Sequence, residues 1–430
     1  MKGEKILMSQ RQLQRWQVMG LVEGGKITLK EAKEKIGVSY RQAKRIRRAL
    51  RVKGVKGIIH GNTGRAPWNL TAYSIRQKVL ELSKGLYGNF NDMHFTEKLS
   101  EEHQIELSRE TVRKLRRWAG IAPKRRRRAP GHRKRRERKA QEGAMVLWDG
   151  SPHHWLGPDQ PACCLMAAMD DATGKLLVAR FFPFEGSSGY LWLLREVVRR
   201  YGIPLLMYHD RHGSLHRNDS HWSLEEQLAG RQEPTQVGLA LEALGIESIA
   251  ALSPQAKGRI ERLFGTLQDR FIAELSLQGV QSIEAANRFL KVFIPRFNRR
   301  FAIPARESEK AWRKVSPELD LDRFISFRYR SVVGNDNCVR IGGLVLDIPP
   351  GSLRRSYAKA QVEVRQLLNG SWRVYYQDQI IAKHPSTELR EPVRALKHTR
   401  RIRGAFPDQW IYWASAPPAQ VVLAQGSSIV

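Results

Sequence analysis

The sequence predicts a multidomain chain: all-α helix-turn-helix modules, then an α/β core with a mixed sheet, then a small C-terminal β-barrel. Three observations carry this expectation. Helix starts with cationic faces fill the first 120 residues, apolar runs alternate with helix-length segments in the middle, and short stretches of alternating polarity begin near residue 327. The 430 residues allow two to four domains, and 41% hydrophobic residues can build real cores.

The charge balance points to a partner. There are 74 Lys+Arg against 42 Asp+Glu, a formal charge of +32 and a pI near 10.5. A folded chain so unbalanced repels itself unless a polyanion neutralises it, and DNA or RNA is the expected polyanion. A membrane surface is the competitor, but no basic amphipathic helix, lipidation motif or run of transmembrane length supports it, and "MKGEKILMSQRQ" lacks the apolar core of a signal peptide. Cys163 and Cys164 are adjacent and Cys338 is distant, so neither a disulfide framework nor a thiolate zinc site is expected, and the chain reads as cytoplasmic.

Residues 9–58 are expected to be a helix-turn-helix domain. "TLKEAKEKIGVSYRQAKRIRRAL" (28–50) contains two helix starts of capping-box form, Thr28-x-x-Glu31 and Ser39-x-x-Gln42, with Gly37 and Val38 between them. Ala43, Ile46 and Leu50 give the second helix a packing face; Arg41, Lys44, Arg45, Arg47 and Arg48 give it a cationic one. The reading is a helix presented to a DNA groove, against a surface helix that is merely basic. In the linker "HGNTGRAPWN" (60–69), Arg65 suits a minor-groove arm, and a plain linker fits equally well. A second such module is expected over 70–122. Its last helix, "SRETVRKLRRWAG", places Arg109, Arg113, Lys114, Arg116 and Arg117 beside a Val112/Leu115 stripe. The linker 123–142 follows; eleven of the sixteen residues at 124–139 are Lys or Arg, a run expected to stay unfolded until it meets phosphate.

The core is expected over 143–305. "AMVLWD" (144–149) and "IPLLMYHD" (203–210) are buried strands, 163–184 is a hairpin turning at Asp171–Gly174, and 189–202 is an amphipathic helix. A short strand (245–252) precedes a helix opened by "SPQAKGRIERLFGTL", with another helix over 282–294. Over 325–390, alternating pairs such as Val339/Ile341 and Val362/Val364, with turns at Gly342-Gly343 and Asn369-Gly370, predict the barrel. The tail from 395 to 430 has no assignment.

Three carboxylates carry the chemistry. Asp149 and Asp210 each end a buried strand, where sites form in α/β sheets. Glu261 lies at the margin of the stripe Ile260, Leu263, Phe264, Leu267, Phe271, half toward the core, on the same side as Gly258 and Gly265, which predict close approach of a backbone or ligand. Three acids on one sheet edge cannot all stay ionised in a dry site unless a cation joins them. Oxygen ligands with open positions suit Mg²⁺ or Mn²⁺, and two such ions would serve in-line phosphodiester chemistry. The clustered His209, His212, His216 and His221 make a zinc site the weaker alternative, and Asp170 and Asp171 read as turn residues.

The strings "WDGSPHHW" (148–155), "YHDRHGSL" (208–215), "SPQAKGRIERLFGTLQDR" (253–270) and "FNRRFAIP" (297–304) are together recognisable. The chain resembles the DDE transposases of bacterial insertion sequences that carry a retroviral-integrase-type core, most like the ISNCY-type group, over roughly residues 10–390. The resemblance implies an RNase H-like core with Asp149, Asp210 and Glu261 at the three metal-binding positions, and Lys257 approaching donor DNA. It also implies binding of terminal inverted repeats, metal-dependent cleavage and strand transfer into target DNA by a homo-oligomer, in a bacterial cytoplasm and on the nucleoid when bound. The separation 261 − 210 = 51 is longer than many relatives show, which makes Glu247 and Glu242 decoys and points to an insertion at about 214–235. The alternatives are a non-catalytic DNA-binding regulator retaining the integrase fold and a structure-specific nuclease.

Overall fold

The computed structural model describes residues 6–63, 65–68, 70–125, 136–217, 222–251, 258–351 and 354–387. Lys257, His221, the middle of the basic linker and the tail from 395 lie outside the described residues. The chain divides into two units at Leu82 and Ser83.

In the first unit, α1 (Gln10–Glu23) starts from a capping box between Ser9 and Gln12. The box predicted between Thr28 and Glu31 is complete, at 3.3 and 2.8 Å, and opens α2 (Leu29–Ile36). Gly37 ends α2 with φ 64°, the left-handed conformation a side chain would strain. Ser39 then caps α3 (Tyr40–Lys53) through the Gln42 amide at 3.2 Å, one half of the expected box. A small core of Val18, Met19, Val22, Ala32, Ala43, Ile46 and Ile58 holds the three helices. α4 (Tyr73–Lys84) spans the division between the units.

The second unit begins with α5 (Asp92–His103) and α6 (Arg109–Trp118), the latter capped by Ser108 through the Thr111 amide at 3.1 Å. Arg116 does not join the cationic face of α6. It is buried, donating to Phe90 O at 3.0 Å and Asp92 Oδ1 at 2.8 Å, and Arg117 takes the other Asp92 oxygen. The two arginines tie α6 to the start of α5.

The core sheet contains β1 (Met145–His153), β2 (Cys163–Asp170), β3 (Leu176–Phe182), β4 (Leu206–His209) and β5 (Glu247–Ala250), in the order β3-β2-β1-β4-β5. β1, β2 and β3 pair antiparallel, and β1, β4 and β5 pair parallel, so the sheet is mixed as expected. The hairpin turn is built on Asp170, fully buried, which accepts from Gly143 N, Thr173 N and Thr173 Oγ1 at 2.6–2.9 Å. Asp171 beside it gathers Arg136, Arg259 and the Lys139 amide. The end of the basic linker is therefore pinned to the core rather than left free for phosphate.

α7 (Ser187–Tyr201), α8 (Leu224–Ala229) and α9 (Gln236–Ala243) follow in the connections between strands. α7 and α9 pack on one face of the sheet, with Trp148, Met166, Tyr190 and Leu241 in one cluster. α10 (Gly258–Leu277) and α11 (Ile283–Phe301) cover the other, with Leu147, Leu165, Ile260, Phe264 and Phe271 in a second. α11 runs seven residues beyond the expected end at 294, through Pro295. A proline there forfeits one helical hydrogen bond. Continuation is favoured by the stripe Phe289, Phe293, Phe297, Phe301, whose successive rings lie 4.6–6.3 Å apart. Asn287 and Asn298 of α11 each bracket the backbone of β3, bonding N–H and C=O of Phe181 and Leu176 at 2.8–3.1 Å, which closes this edge strand to further pairing.

α5 docks on α10 through ionic contacts. Arg270 makes a two-armed bridge to Glu97 at 2.5 and 2.9 Å, Arg300 reaches the same carboxylate at 2.6 Å, and Glu274 receives His94 at 2.8 Å and Lys98 at 3.1 Å. Asp269 meets Asn91 and Lys124.

After α12 (Leu321–Phe324), the C-terminal strands are β6 (Phe327–Val332), β7 (Cys338–Ile341), β8 (Leu344–Asp347), β9 (Gln361–Gln366), β10 (Trp372–Tyr376) and β11 (Gln379–His384). They do not close into the expected barrel. A four-stranded sheet β11-β10-β9-β6 faces a separate β7-β8 hairpin, each burying its alternating residues against the other and against the α7 face of the core. The turns at Gly342-Gly343 and Asn369-Gly370 are as predicted, with φ 55°, 86° and, at Gly370, 84°. Alternation told which face of each strand is buried; it is equally satisfied by two stacked sheets, and pairing of the end strands is what separates the two outcomes. No described helix is long and apolar enough to cross a membrane.

Candidate active site

The parallel pairing of β1 with β4 sets the first two acids. Leu147 is opposite Tyr208, and Asp149 and Asp210 each stand two residues further on, at the same level of adjacent strands. Strands in a sheet lie about 4.8 Å apart, so this register makes the two aspartates neighbours at the C-terminal edge. Both are half-buried. Asp149 Oδ1 accepts the Gly150 amide at 3.0 Å, and Asp210 Oδ1 accepts the His212 amide at 2.9 Å. Each carboxylate is oriented by the backbone just beyond it.

α10 crosses the same face. Met145 and Leu147 pack with Ile260, Leu263 and Phe264, and Gln268 Nε2 lies 3.3 Å from Ser151 Oγ, two residues past Asp149. The predicted packing stripe of α10 is all buried. Glu261, expected half toward the core, is exposed in the first turn, immediately after residues outside the description. A Cβ at Gly258 or Gly265 would meet nothing within 4 Å, so no backbone crowds them as the sequence suggested. The basic neighbours of Glu261 divide: Arg259 binds Asp171, whereas Arg262 is exposed and folds back to Gly258 O at 2.7 Å.

The decoys are placed elsewhere. Glu247 pairs with Leu206 at the start of β5, the opposite end from Asp210, and Glu242 is exposed near the end of α9. Four residue steps separate Leu206, opposite Glu247, from Asp210, about 13 Å at 3.3 Å per residue. Among the described residues no three His, Cys, Asp or Glu side chains are gathered closely enough to hold a metal ion. The two carboxylates in register are hard oxygen donors of the kind a divalent cation takes, with His212 beside them and a third acid on the helix packed on the same face. His209 is buried and bonds Ser248 Oγ at 2.7 Å.

Sequence reasoning missed Glu185. It follows β3 in "FFPFEGSSGY", and its carboxylate lies against Gly150, next to Asp149. A lone acid in the turn before a helix has no periodic signal; only the fold reveals its neighbour. Burial, then the Glu185 charge, with Asp149 adding, pushes the Cys164 thiol up to about 12. Burial, Glu185, Asp149 and Asp210 in turn push the Tyr190 hydroxyl well above its ordinary value. Negative charge is concentrated at this edge of a strongly basic chain.

Of the expected DNA-contacting residues, Arg41, Lys44, Arg45, Arg48, Arg65 and Arg109 are exposed, and the Lys44 ammonium lies 4.8 Å from the Tyr40 ring centre. Arg113 is half-exposed and bridges Glu110 at 2.8 and 2.7 Å.

Fold and edge define a mixed-sheet α/β protein preceded by basic helices, with Asp149 midway along β1 level with Asp210 just after β4. No protein-family model matches the chain. It is 37% identical over 305 residues to the putative transposase y4bF of Sinorhizobium fredii, covering 71% of this chain and 65% of that protein. It is 32% identical over 318 residues to the transposase for insertion sequence IS1202 of Streptococcus pneumoniae, covering 66% and 67%. The chain belongs to the insertion-sequence transposases, and the match spans about two thirds of the length of these relatives. Among solved structures it is similar to a chain of the simian T-cell lymphotropic virus intasome in complex with PP2A regulatory subunit B56 gamma (TM-score 0.30, 14% identity, 74% of this chain and 100% of that one). It is also similar to the HTLV-2 integrase catalytic core domain in complex with magnesium, trimeric form (0.25, 14%, 35% and 84%).

Proposed function

We propose that this chain is a transposase that binds the terminal inverted repeats of an insertion sequence and catalyses Mg²⁺-dependent strand cleavage and strand transfer. The observation that carries this reading is the register of Asp149 on β1 with Asp210 just after β4, on the sheet face packed by the helix that has Glu261 in its first turn. Asp149, Asp210 and Glu261 would hold the cation, with the first turn of α10 closing on the aspartates when DNA is bound. Bound there, Mg²⁺ or Mn²⁺ would activate the attacking oxygen and stabilise the leaving one.

The remaining work falls to the chain itself. The exposed arginines and lysines of α3 and α6 neutralise phosphates and fix the register of the DNA end. Lys257, four residues before Glu261, would approach the donor DNA by this reading. The basic surface concentrates DNA, and the acidic edge selects where it is cut. Assembly on paired ends would make the active form a homo-oligomer.

The test is incubation of the full chain with DNA carrying the flanking element ends and Mg²⁺, scoring nicking and joining. Asp149→Asn, Asp210→Asn and Glu261→Gln should each abolish cleavage and keep end binding, while Glu247→Gln should cleave normally. Binding without nicking by the unmodified chain would leave a regulator, and nicking without joining would leave a nuclease.

A further inference from the structure

Glu185 lies in the turn between β3 and α7 and reaches back over β1. A Cβ built on Gly150 would fall 2.5 Å from its carboxyl carbon and from Oε2, so glycine at this position leaves the carboxylate its place. Tyr190, fully buried and 5.2 Å from Trp148 ring to ring, donates its hydroxyl to Glu185 Oε1 at 2.5 Å. On the other side, His212 Nδ1 is 3.9 Å from the same oxygen, and the His212 amide is the donor that orients Asp210. Glu185 is thus held between the residue after Asp149 and the loop after Asp210.

The pleat decides its side. Gly150 shares a face with Val146 and Trp148, packed under α7, whereas Asp149 shares the face of Met145 and Leu147, packed under α10. Glu261 therefore belongs to one face of the edge and Glu185 to the other. This carboxylate is 17% exposed, is fixed by a buried phenol with the His212 imidazole 3.9 Å away, and lies against the residue that follows Asp149.

We infer that Glu185 is a fourth carboxylate serving the Asp149–Asp210 edge, a positioning residue toward the divalent cation, set on the sheet face opposite Glu261. The inference rests on the metal-dependent reading above. Carboxylates of this kind are held by a hydrogen bond and tune the inner ligands, and their loss typically weakens metal affinity about 10–100-fold.

The experiment is titration of the full chain, without DNA, with Mn²⁺ alone, reading free Mn²⁺ by electron paramagnetic resonance. Glu185→Gln, which keeps the Tyr190 contact but removes the charge, should weaken binding about tenfold or more. Gly150→Ala, which displaces the carboxylate without touching any ionisable group, should do the same, with melting curves confirming that both variants fold. Binding by Glu185→Gln within about twofold of the unmodified chain, while Asp149→Asn loses it, overturns the inference and leaves the metal reading intact. Binding unaffected by Asp149→Asn, or absent from the unmodified chain, defeats the metal reading and this inference with it.

Discussion

Replacing Glu97 by glutamine should loosen the junction between α5 and α10 more than any surface substitution. Glu97 is 8% exposed and holds both arms of Arg270, itself 9% exposed, together with Arg300. Breaking a buried ion pair from one side costs about 3–5 kcal/mol, because the abandoned charge has no water to replace its partner. Two features place this case near the lower end. The bridge lines an open cleft of about 620 Å³, and Arg300, with 38% of its side chain exposed, adds only about 0–1 kcal/mol. The expected loss is therefore about 3 kcal/mol, which corresponds to about 100-fold faster hydrogen exchange if α5 opens as a local unit. Exchange mass spectrometry on peptides of α5 and α10 reads this directly. Exchanging both partners for apolar residues, Glu97→Met with Arg270→Met, should recover most of the protection, since well-packed apolar pairs replace buried ion pairs at little cost. Unchanged α5 protection in Glu97→Gln would refute the reasoning and assign the docking to the apolar contacts alone.

Further outcomes follow from the same geometry. Acidification should destabilise the same junction in two stages. Burial holds the folded-state pKa of His94 below its ordinary value, despite the hydrogen bond to Glu274, so the unfolded chain takes that proton first and stability falls as pH drops below about 6.5. Burial alone would raise Glu274, but His94 and Lys98 together hold it below the usual carboxylate range, so its contribution is lost at lower pH, through about 4.5 and beneath. His94→Gln should remove the first stage in urea titrations run across pH. Arg45→Ala and Arg48→Ala should each weaken DNA binding and lower the salt slope by about 1, whereas Arg116→Ala should lower the melting temperature instead, because its guanidinium is structural. Asn298→Ala removes both bonds to Leu176 and should cost about 1–3 kcal/mol, read in equilibrium unfolding.

The core was legible where periodicity and burial coincide. The α10 stripe is one example: five apolar residues at helical spacing can only face one way, and all five are buried. The pair of acids was legible in part: Asp210 ends its strand as expected, but β1 runs four residues past Asp149, to His153, because β2 goes on pairing with it, and pairing is a non-local fact that no window of sequence contains. What escaped the sequence was decided by tertiary partners. Arg116 looks like its basic neighbours until Asp92 and Phe90 fold beneath it. Pro295 reads as a stop until the phenylalanine ladder outweighs one lost bond. The barrel was an inference from alternation, which fixes faces but not the pairing of end strands. Glu261 stands where the stripe puts it along the helix, but its exposure depends on how the first turn leaves the sheet.

The ionic docking of α5 on α10 has a consequence for how the chain responds to salt. By the reading proposed above, phosphate contacts on the exposed faces of α3 and α6 would release condensed counterions, and they would weaken steeply as ionic strength rises. Glu97, Arg270, His94 and Glu274 are mostly buried and paired at 2.5–2.9 Å, so salt weakens them less than exposed charges. Rising salt should therefore strip nucleic acid from the surface long before it separates α5 from α10. A high-salt wash should return a DNA-free chain with α5 still docked on α10, ready to rebind on dilution.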